Sequence, residues 1–321
     1  MNDHSGYLLS VDGGGSKTEF CATDNTGKPV CSFVVGSASY KAVSEERAVA
    51  NIKKGLSILA EKGIDCTNLA YSVWGMSGCD TQRDFGIYHR IIQSFGIAKQ
   101  YFLCNDAILA FYAKADPPGM TVVAGTGAIA YAIDKNGILF RSGGWGYGFS
   151  DLGAGHWLGN EVLKETLLYC DGCRAFDPLF ECVRQKYAAA SYDELCALIS
   201  DIANPSSVAE FSSLVFDCKG SPLCESLTEQ ASSLLVRLGS ALFRKMNGAA
   251  DPAFGIVLAG SLFKHKDFFA LFAEQFSFTE KIDAERIVLL DQSPAIGGIK
   301  IAQSMMNQNG NGLHPIPDAS L

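Results

Sequence analysis

The 321-residue chain lacks several features that would assign it to a large class of proteins. It has no surplus of positive charge, because 26 lysines and arginines stand against 34 acids, and a nucleic-acid partner requires a basic surface. No apolar run reaches the ~18–20 residues that span a bilayer. Residues 1–6 lack the basic and apolar regions of a signal peptide. We therefore expect no nucleic-acid partner, no membrane span and a cytoplasmic protein.

Metal and disulfide motifs are also sparse. The chain has 11 cysteines and only 5 histidines, and an odd number of scattered cysteines favours a reducing compartment over a disulfide framework. One C-x-x-C pair, Cys170 and Cys173, lacks the second pair that structural zinc needs, and a redox pair would be expected at the start of a helix. Buried or loop thiols are the favoured interpretation, and whether these two bind anything stays open.

The most informative stretch is residues 11–18, VDGGGSKT. An apolar run at residues 7–11 precedes it and an alternating run at residues 19–24 follows it, which indicates a glycine turn between two strands. A dinucleotide-binding fingerprint would open a helix and carry a third glycine where Thr18 stands, and a Walker loop occurs nowhere in the chain. The pattern that fits is a concave nest of backbone N–H groups for an anion.

Several side chains around this turn suit phosphate chemistry. Glycines at positions 13–15 would allow positive φ and close approach to phosphate oxygens. Ser16, Lys17 and Thr18 add hydroxyl and ammonium donors. Asp12 ends the first strand and could hold a hydrated Mg²⁺, which takes few carboxylates. For this stretch alone, a plain hairpin turn with a surface aspartate stays equally open.

A second carboxylate lies at a strand-to-helix junction. Residues 101–104 are predicted as a strand and a helix is predicted from residue 107, so Asp106 falls at or near the helix N-cap. Capping is one role for this residue. The other is a general base that accepts the proton of a substrate hydroxyl. Another predicted strand, residues 69–74, leads into the small-residue turn at 75–78, and α/β proteins bind ligands beyond such strand ends.

The opening pattern occurs twice along the chain. Residues 116–119, Asp-Pro-Pro-Gly, mark the predicted boundary between domains 1–117 and 118–321. After it come a strand (120–124), a glycine turn (125–127), a strand (128–133), a second turn (134–137) and a strand (138–140). Residues 143–148 are too rich in glycine for a core element and indicate either a surface loop or a sugar-binding loop. Residues 157–250 are predicted to be mostly helical, a last helix spans about 294–306, and residues 307–321 form an irregular tail.

These features resemble the actin-like ATPase superfamily, whose members open each half with a glycine-turn hairpin. Within it the chain resembles the N-acetylglucosamine kinase branch, the BadF/BadG/BcrA/BcrD-type ATPase family. The motifs that carry the resemblance occur in the family's order over about residues 7–302: Asp12-Gly-Gly-Gly-Ser-Lys-Thr18, Gly75-Met-Ser-Gly78, Asn105-Asp-Ala107, Ala124-Gly-Thr-Gly127, Gly143-Gly-Trp-Gly146, Ser150-Asp-Leu-Gly-Ala-Gly155, Leu258-Ala-Gly-Ser261 and Ser293-Pro-Ala-Ile-Gly-Gly298.

The resemblance implies an α/β fold of two actin-like (ribonuclease-H-like) ATPase domains with a nucleotide and sugar cleft between them. The first domain would carry the phosphate-binding hairpin and the catalytic aspartate. The second would carry a helical insertion and the C-terminal helix. It also implies a homodimer that transfers the γ-phosphoryl of ATP to a hydroxyl, expected to be the 6-hydroxyl, of an amino sugar such as N-acetylglucosamine or glucosamine.

The same resemblance assigns a role to each matching residue. The implied ATP-binding residues are Gly13, Gly14, Gly15, Ser16, Lys17, Thr18, Gly125, Thr126, Gly127, Gly260 and Ser261. The implied substrate-binding residues are Ser77, Gly78, Asp106, Gly144, Trp145 and Asp151, and Asp106 is also the implied catalytic base. Asp12 would hold Mg²⁺ through water.

Two departures from the family pattern bear on the identity of the sugar. Amino-sugar kinases carry an asparagine near the third strand, and residues 36–40 contain none. They also often carry a polar pair after the second glycine turn, where this chain has the apolar pair Ala128-Ile129. The identity of the sugar therefore stays open. So do two other functions: an activator ATPase that uses Cys170 and Cys173 for an iron–sulfur cluster, and a sugar sensor without activity, which would need neither Asp12 nor Asp106.

Overall fold

The computed structural model describes residues 6–97, 100–202 and 204–307. The strands are β1 (Tyr7–Gly13), β2 (Lys17–Asp24), β3 (Pro29–Gly36), β4 (Tyr71–Met76), β5 (Tyr101–Cys104), β6 (Gly119–Ala124), β7 (Ala128–Ile133), β8 (Leu139–Gly143), β9 (Gly255–Ala259) and β10 (Ile287–Leu289). The helices are α1 (Glu45–Glu61), α2 (Gln82–Ser94), α3 (Asp106–Lys114), α4 (Gly155–Cys170), α5 (Pro178–Lys186), α6 (Tyr192–Ser200), α7 (Pro205–Ala209), α8 (Ser212–Asp217), α9 (Pro222–Lys245), α10 (Lys266–Glu280) and α11 (Ala295–Asn307).

Two five-stranded sheets share one topology. The first has the order β3-β2-β1-β4-β5, and the second, read in the same direction, has the order β8-β7-β6-β9-β10. In the first sheet the β1–β2 and β2–β3 pairs are antiparallel, whereas β1–β4 and β4–β5 are parallel. Two hairpin turns account for the antiparallel pairs, and a crossover helix for each parallel pair. The repeat predicted from the two glycine turns is therefore confirmed in the order of the strands.

The chain folds into two compact units, and no single cut along the sequence separates them. The first contains the described residues up to Thr121, then Tyr131–Phe140, then the described residues from Leu290 on. The second contains Val122–Ala130 and Arg141–Leu289. The predicted division into domains at 117/118 stays a prediction about the two halves of the repeat. No helix among the described residues is long and apolar enough to cross a membrane.

The core of the first unit surrounds Trp74 on β4. The ring of Phe20 meets it edge to face, with ring centroids 6.3 Å apart, and stacks on Phe33 on its other side. Gly55 of α1 lies directly against Phe20, so a Cβ at this position would overlap the ring. α1 can therefore lie close to the sheet only with a glycine here. A well-packed aromatic of this kind contributes about 3–5 kcal/mol relative to alanine.

The last helix, α11, packs on α3 and β1 in the first unit. Gly297 makes the approach to α3 possible, since a Cβ there would overlap the carbonyl group of Leu109. Gly298 faces the side chain of Ser10 in the same way. The motif Ser293–Gly298 of the sequence thus has a packing role, and the predicted tail beyond Asn307 lies outside the described residues.

Residues 157–250 were predicted to be mostly helical, and the structure places the helices α4 to α9 there, all in the second unit. A cluster of phenylalanine rings also lies in this unit. Phe243 on α9 contacts Phe276 on α10, with ring centroids 5.6 Å apart, and Phe272 on α10 contacts both Phe276 and Phe263. These rings are fully buried and connect α9 and α10 to the end of β9.

Candidate active site

The glycine hairpin joins β1 to β2 in the first unit. Gly13 pairs with Thr18 and Asp12 with Glu19, so residues 14–16 form the turn. None of the three glycines has a positive φ, which corrects the expectation of left-handed backbone here. Close packing favours glycine at position 13, because a Cβ there would lie 2.7 Å from the sulfur of Met76, which would have to move. Gly15 and Lys17 are exposed and leave their polar groups accessible.

The segment after β3 holds this hairpin in place. The Ser37 hydroxyl donates to the carbonyl of Gly14 at 2.9 Å, and the N–H of Ala38 donates to Thr18 Oγ1 at 2.7 Å. Thr18 was predicted as a phosphate donor. It is fully buried, and its hydroxyl oxygen accepts from the backbone of Ala38. These contacts give Thr18 an internal role in fixing the turn.

Ser77 and Gly78 follow the end of β4 and are joined to the same hairpin. The N–H of Ser77 donates to the carbonyl of Gly13 at 2.8 Å, and the Ser39 hydroxyl donates to the carbonyl of Ser77. Gly78 has φ +77°, and a Cβ on it would meet the stem of Lys41. β4 extends to Met76, two residues beyond the predicted strand, because its ladder with β1 continues to Gly13. The tight turn therefore begins at Ser77.

Asp106 is the first residue of α3, and Asn105 is its N-cap. The Asn105 side-chain oxygen accepts from the N–H of Ala107 at 2.9 Å. Burial, followed by the negative charges of Asp12 and Asp80, raises the pKa of Asp106 to about 8, although N–H groups at the helix start act in the opposite direction. The interaction with Asp12 means that the two predicted functional carboxylates lie near each other. A base with a pKa near neutrality is well matched to proton transfer at neutral pH.

Asp12 lies at the end of β1 and is half-buried. Burial and the nearby Glu19 carboxylate raise its pKa to about 7, and the positive charge of Lys17 lowers it only in part. A cation near Asp12 would relieve this cost, so the site fits a divalent metal electrostatically. No group of three or more His, Cys, Asp or Glu side chains in the described part of the chain could form a protein-only metal site. This donor set suits Mg²⁺, which keeps most of its waters.

Asp80, which the sequence interpretation passed over, lies in the turn between β4 and α2. Its Oδ1 accepts from Asn105 Nδ2 at 2.9 Å and from the Tyr131 hydroxyl at 3.0 Å. Its Oδ2 lies 3.8 Å from the ammonium of Lys41. The only sequence signal for it is an acid two residues after Gly78, beyond the carboxyl end of a strand.

Asp84, in the first turn of α2, anchors the surrounding loops. It accepts hydrogen bonds from the Tyr40 hydroxyl, from Lys41 Nζ at 2.9 Å, and from the N–H and hydroxyl of Thr81. The N–H of Asp80 also donates to it at 3.2 Å. Burial alone would raise the pKa of Asp84, but these donors lower it to about 2. The Thr81-x-x-Asp84 capping box is the sequence signal for this residue.

In the second unit, the turn at residues 125–127 joins β6 to β7 and is hydrogen-bonded to the start of α4. The N–H of Gly125 donates to the carbonyl of Gly127, and the N–H groups of Gly155 and His156 donate to the carbonyls of Gly125 and Thr126. The turn therefore supplies backbone acceptors to a helix start. Like the first hairpin, it has no positive φ.

Asp151, Gly144 and Trp145, predicted to bind substrate, lie in the loop that follows β8. Asp151 has φ +51°, and its carboxylate lies over Gly127, where an added Cβ would be 2.5 Å from Oδ2. Gly144 has φ +71°. The Trp145 ring is 67% exposed, and the Arg141 guanidinium lies 3.6 Å from its centroid. An exposed indole held by a cation provides a rigid apolar face.

Gly260 and Ser261 follow β9, also in the second unit. Gly260 has φ +101°, and a Cβ on it would overlap the backbone of Ala124 at the end of β6. Ser261 borders a cavity of about 350 Å³ in which the His265 ring stacks on Phe216, with centroids 4.1 Å apart. The other lining residues, which the sequence interpretation did not find, are Lys186, Ala209, Glu210, Ser212, Ser213 and Leu262. They come from α5, α7, α8 and the segments beside them, which carry no motif.

The C-x-x-C pair is not a structural unit. The thiol of Cys170 lies near that of Cys196 on α6, and Cys173 is exposed with its thiol near the carbonyl of Asp171. Burial raises the pKa of Cys170 to about 12, so this thiol is not poised to ionise.

The duplicated β3-β2-β1-β4-β5 topology, with a glycine hairpin in each copy and an aspartate at the start of the helix after β5, defines the actin-like ATPase class of sugar-kinase folds. The model of the BadF/BadG/BcrA/BcrD ATPase family matches residues 9–302. The chain belongs to this family.

Named relatives and solved structures agree with this class. The chain is 26% identical over 274 residues to the N-acetyl-D-glucosamine kinase of Dictyostelium discoideum, covering 81% of this chain and 86% of that one. It is 26% identical to the glucosamine kinase GspK of Vibrio cholerae, covering 71% and 77%. A solved structure from Chromobacterium violaceum, provisionally described as an N-acetylglucosamine kinase, superposes with a TM-score of 0.75 at 20% identity, covering 93% and 99%. That likeness concerns the fold.

Proposed function

We propose that this protein is an ATP-dependent kinase that phosphorylates a hydroxyl of an amino sugar. The observation that carries the proposal is the pair of interacting carboxylates, Asp12 and Asp106, beside the glycine hairpin of the first unit. A plain turn with a surface aspartate does not account for a half-buried Asp12 or for its raised pKa. The relatives named above act on N-acetylglucosamine or glucosamine, and the proposed acceptor is drawn from that class.

Asp106 is the proposed general base. Its carboxylate would accept the proton of the sugar hydroxyl, expected to be the 6-hydroxyl, as the sugar oxygen bonds to the γ-phosphorus. The bond to the β–γ bridging oxygen breaks, and ADP leaves with that electron pair. The transition state of phosphoryl transfer is loose, so positioning of the two oxygens matters more than the strength of the base.

The two glycine turns are proposed to contact the phosphates of ATP. In the first unit Gly15, Ser16 and Lys17 are exposed beside the half-buried Gly14, and in the second Thr126 is exposed between the half-buried Gly125 and Gly127. Asp12 would hold Mg²⁺ through water, and the metal would supply positive charge to the phosphate oxygens. The cavity beside Ser261 suits an adenosine group, because it combines stacked rings with several hydroxyl and charged side chains.

The sugar is proposed to contact Ser77 and Gly78 in the first unit, and Gly144, Trp145 and Asp151 in the second. Trp145 offers an exposed ring face to the C–H groups of a sugar, and positive-φ glycines beside it leave backbone donors accessible. The homodimer and the cytoplasmic location stay predictions, and the choice among amino sugars stays open.

The test is ADP release by the purified protein with ATP, Mg²⁺ and one sugar at a time from glucosamine, N-acetylglucosamine, N-acetylmuramic acid, N-acetylmannosamine and glucose. We expect ADP release that depends on one or two of the amino sugars, with phosphate found on the sugar by mass spectrometry. Slow ATP hydrolysis that no sugar stimulates, together with bound iron, would instead support an activator ATPase.

Asp106→Asn provides the matching mutational test. It should lower kcat about 10²–10⁴-fold, the range for loss of a general base. The Kd for ATP should change less than about threefold, because the phosphate and adenosine groups are untouched. Glu61→Gln removes an exposed carboxylate at the end of α1 and serves as the control. A normal kcat in Asp106→Asn would exclude this residue as the base.

A further inference from the structure

Asp80 is a buried carboxylate close to the proposed base. Its side chain is 8% exposed, although it lies in a turn at the carboxyl end of β4. Two neutral donors, Asn105 Nδ2 and the Tyr131 hydroxyl, both donate to the same oxygen, Oδ1. Burying a carboxylate costs free energy unless its hydrogen bonds are satisfied. The burial of Asp80 in a turn is therefore a sign of a specific structural or functional role.

The contact between Asp80 and Asn105 fixes which way the Asn105 amide faces. Because Nδ2 donates to Asp80, Oδ1 is the atom left to accept from the N–H of Ala107, at 2.9 Å. The same N–H lies in the first turn of α3 and also lowers the pKa of Asp106, so the Asn105 amide and the Asp106 carboxylate both face the start of this helix. Reversal of the amide would place an NH₂ group against this N–H and break the N-cap hydrogen bond of α3.

Asp80 is itself held from two other directions. Tyr131 is fully buried on β7, so its hydroxyl is a fixed donor. The main chain of Asp80 donates to Asp84 at 3.2 Å, and Asp84 is in turn bonded to Thr81 and Lys41. The carboxylate therefore has little freedom to follow Asn105 if that residue moves.

We propose that Asp80 is a positioning residue for the reaction: through Asn105, and supported by Tyr131, it holds the start of α3 so that the Asp106 carboxylate faces the acceptor hydroxyl. The inference rests on the proposed function, since it assigns Asp106 as the base. A misplacement of about 1 Å can cost about 10²-fold in rate, so the residue matters without touching the sugar.

Asp80→Ala removes the acceptor and should lower kcat about 10- to 100-fold, with the KM for the sugar within about threefold of wild type. Asp80→Asn is the conservative rescue, since its amide oxygen can still accept from Asn105 and Tyr131; its kcat should stay within about fivefold of wild type. Tyr131→Phe removes one of the two bonds and should lower kcat about two- to fivefold. Glu61→Gln, with an exposed carboxylate removed, is the control for net charge.

A double-mutant cycle tests whether Asp80 acts through Asn105. Asn105→Ala alone should lower kcat about as much as Asp80→Ala, and the double variant should be no worse than the poorer single variant, because each change breaks the same link. Losses that multiply in the double variant would mean that the two residues act independently, which overturns the proposal.

Other outcomes also decide the matter. If Asp80→Ala raises the sugar KM more than tenfold while kcat is kept, Asp80 binds substrate directly. If Asp80→Asn is as poor as Asp80→Ala, its charge is what matters. If kcat falls only in proportion to the folded fraction seen by thermal unfolding, the role is structural. Each of these outcomes overturns the positioning role of Asp80. The proposed function still stands in each case if the wild-type protein phosphorylates an amino sugar. A wild-type protein that no amino sugar stimulates overturns both.

Discussion

Replacement of Asp84 by asparagine should destabilise the first unit in a way that depends on pH. Asp84 is almost fully buried and accepts hydrogen bonds from Tyr40, Lys41 and Thr81. Asparagine has one acceptor oxygen in place of two, and its NH₂ group would face donors. The substitution therefore leaves at least one buried donor without a partner. An unpaired buried donor costs more free energy than the loss of an average hydrogen bond.

The size of the expected loss of stability follows from the pKa of Asp84. Donors lower the pKa of Asp84 to about 2, against about 3.9 for an unfolded aspartate. A shift of about 2 units corresponds to about 2.5 kcal/mol of stability at pH 7. Because the folded pKa is the lower one, this contribution is complete above about pH 5 and is lost as pH falls toward 2. At pH 3 about half of it remains.

The assay is urea unfolding at pH 7 and pH 3, followed by the fluorescence of Trp74, which is buried in the first unit. The other two tryptophans, Trp145 and Trp157, are changed to phenylalanine so that only this unit is observed. We expect Asp84→Asn to lose about 2–3 kcal/mol at pH 7, and the difference from the parent to shrink by about 1 kcal/mol at pH 3. Glu61→Gln should stay within about 0.5 kcal/mol at both pH values.

Two results would refute this reasoning. A loss below about 0.5 kcal/mol at pH 7 would mean that water or another group replaces the carboxylate. An equally large loss at both pH values would mean that shape, and not ionisation, is what Asp84 contributes. Tyr40→Phe, which removes one donor and keeps the carboxylate, should lie between the parent and Asp84→Asn at pH 7.

Two further predictions concern the metal carboxylate and the second unit. Asp12→Asn should raise the Mg²⁺ concentration for half-maximal rate about tenfold or more and lower kcat, because one carboxylate of the proposed metal site is lost; an unchanged Mg²⁺ titration would remove Asp12 from that site. Gly260→Ala should lower Tm by several degrees, since a Cβ would overlap the backbone of Ala124 at a positive φ; a Tm within 1–2 °C of wild type, measured by calorimetry, would contradict the packing described for this turn.

Local patterns predicted much of the fold. Hairpin turns and strand runs depend on neighbours in sequence, so β1–β3 and β6–β8 could be anticipated, and the shared order of the two sheets confirms the repeat. Asp12 and Asp106 could be predicted as candidates because each occupies a recognisable local position, the end of a strand and the start of a helix. The positive φ expected at residues 13–15 was wrong, and it is packing against Met76 of β4 that restricts Gly13.

Only the tertiary structure decided the rest, because the contacts involved join residues far apart in the chain. Asp80 becomes a candidate only when Asn105 and Tyr131, 25 and 51 residues away, are seen to donate to it. The cavity beside Ser261 is lined from several short helices without a motif, and the thiol that influences Cys170 is that of Cys196 on α6. Sequence periodicity reports which face of an element is buried; it does not report which other element covers that face.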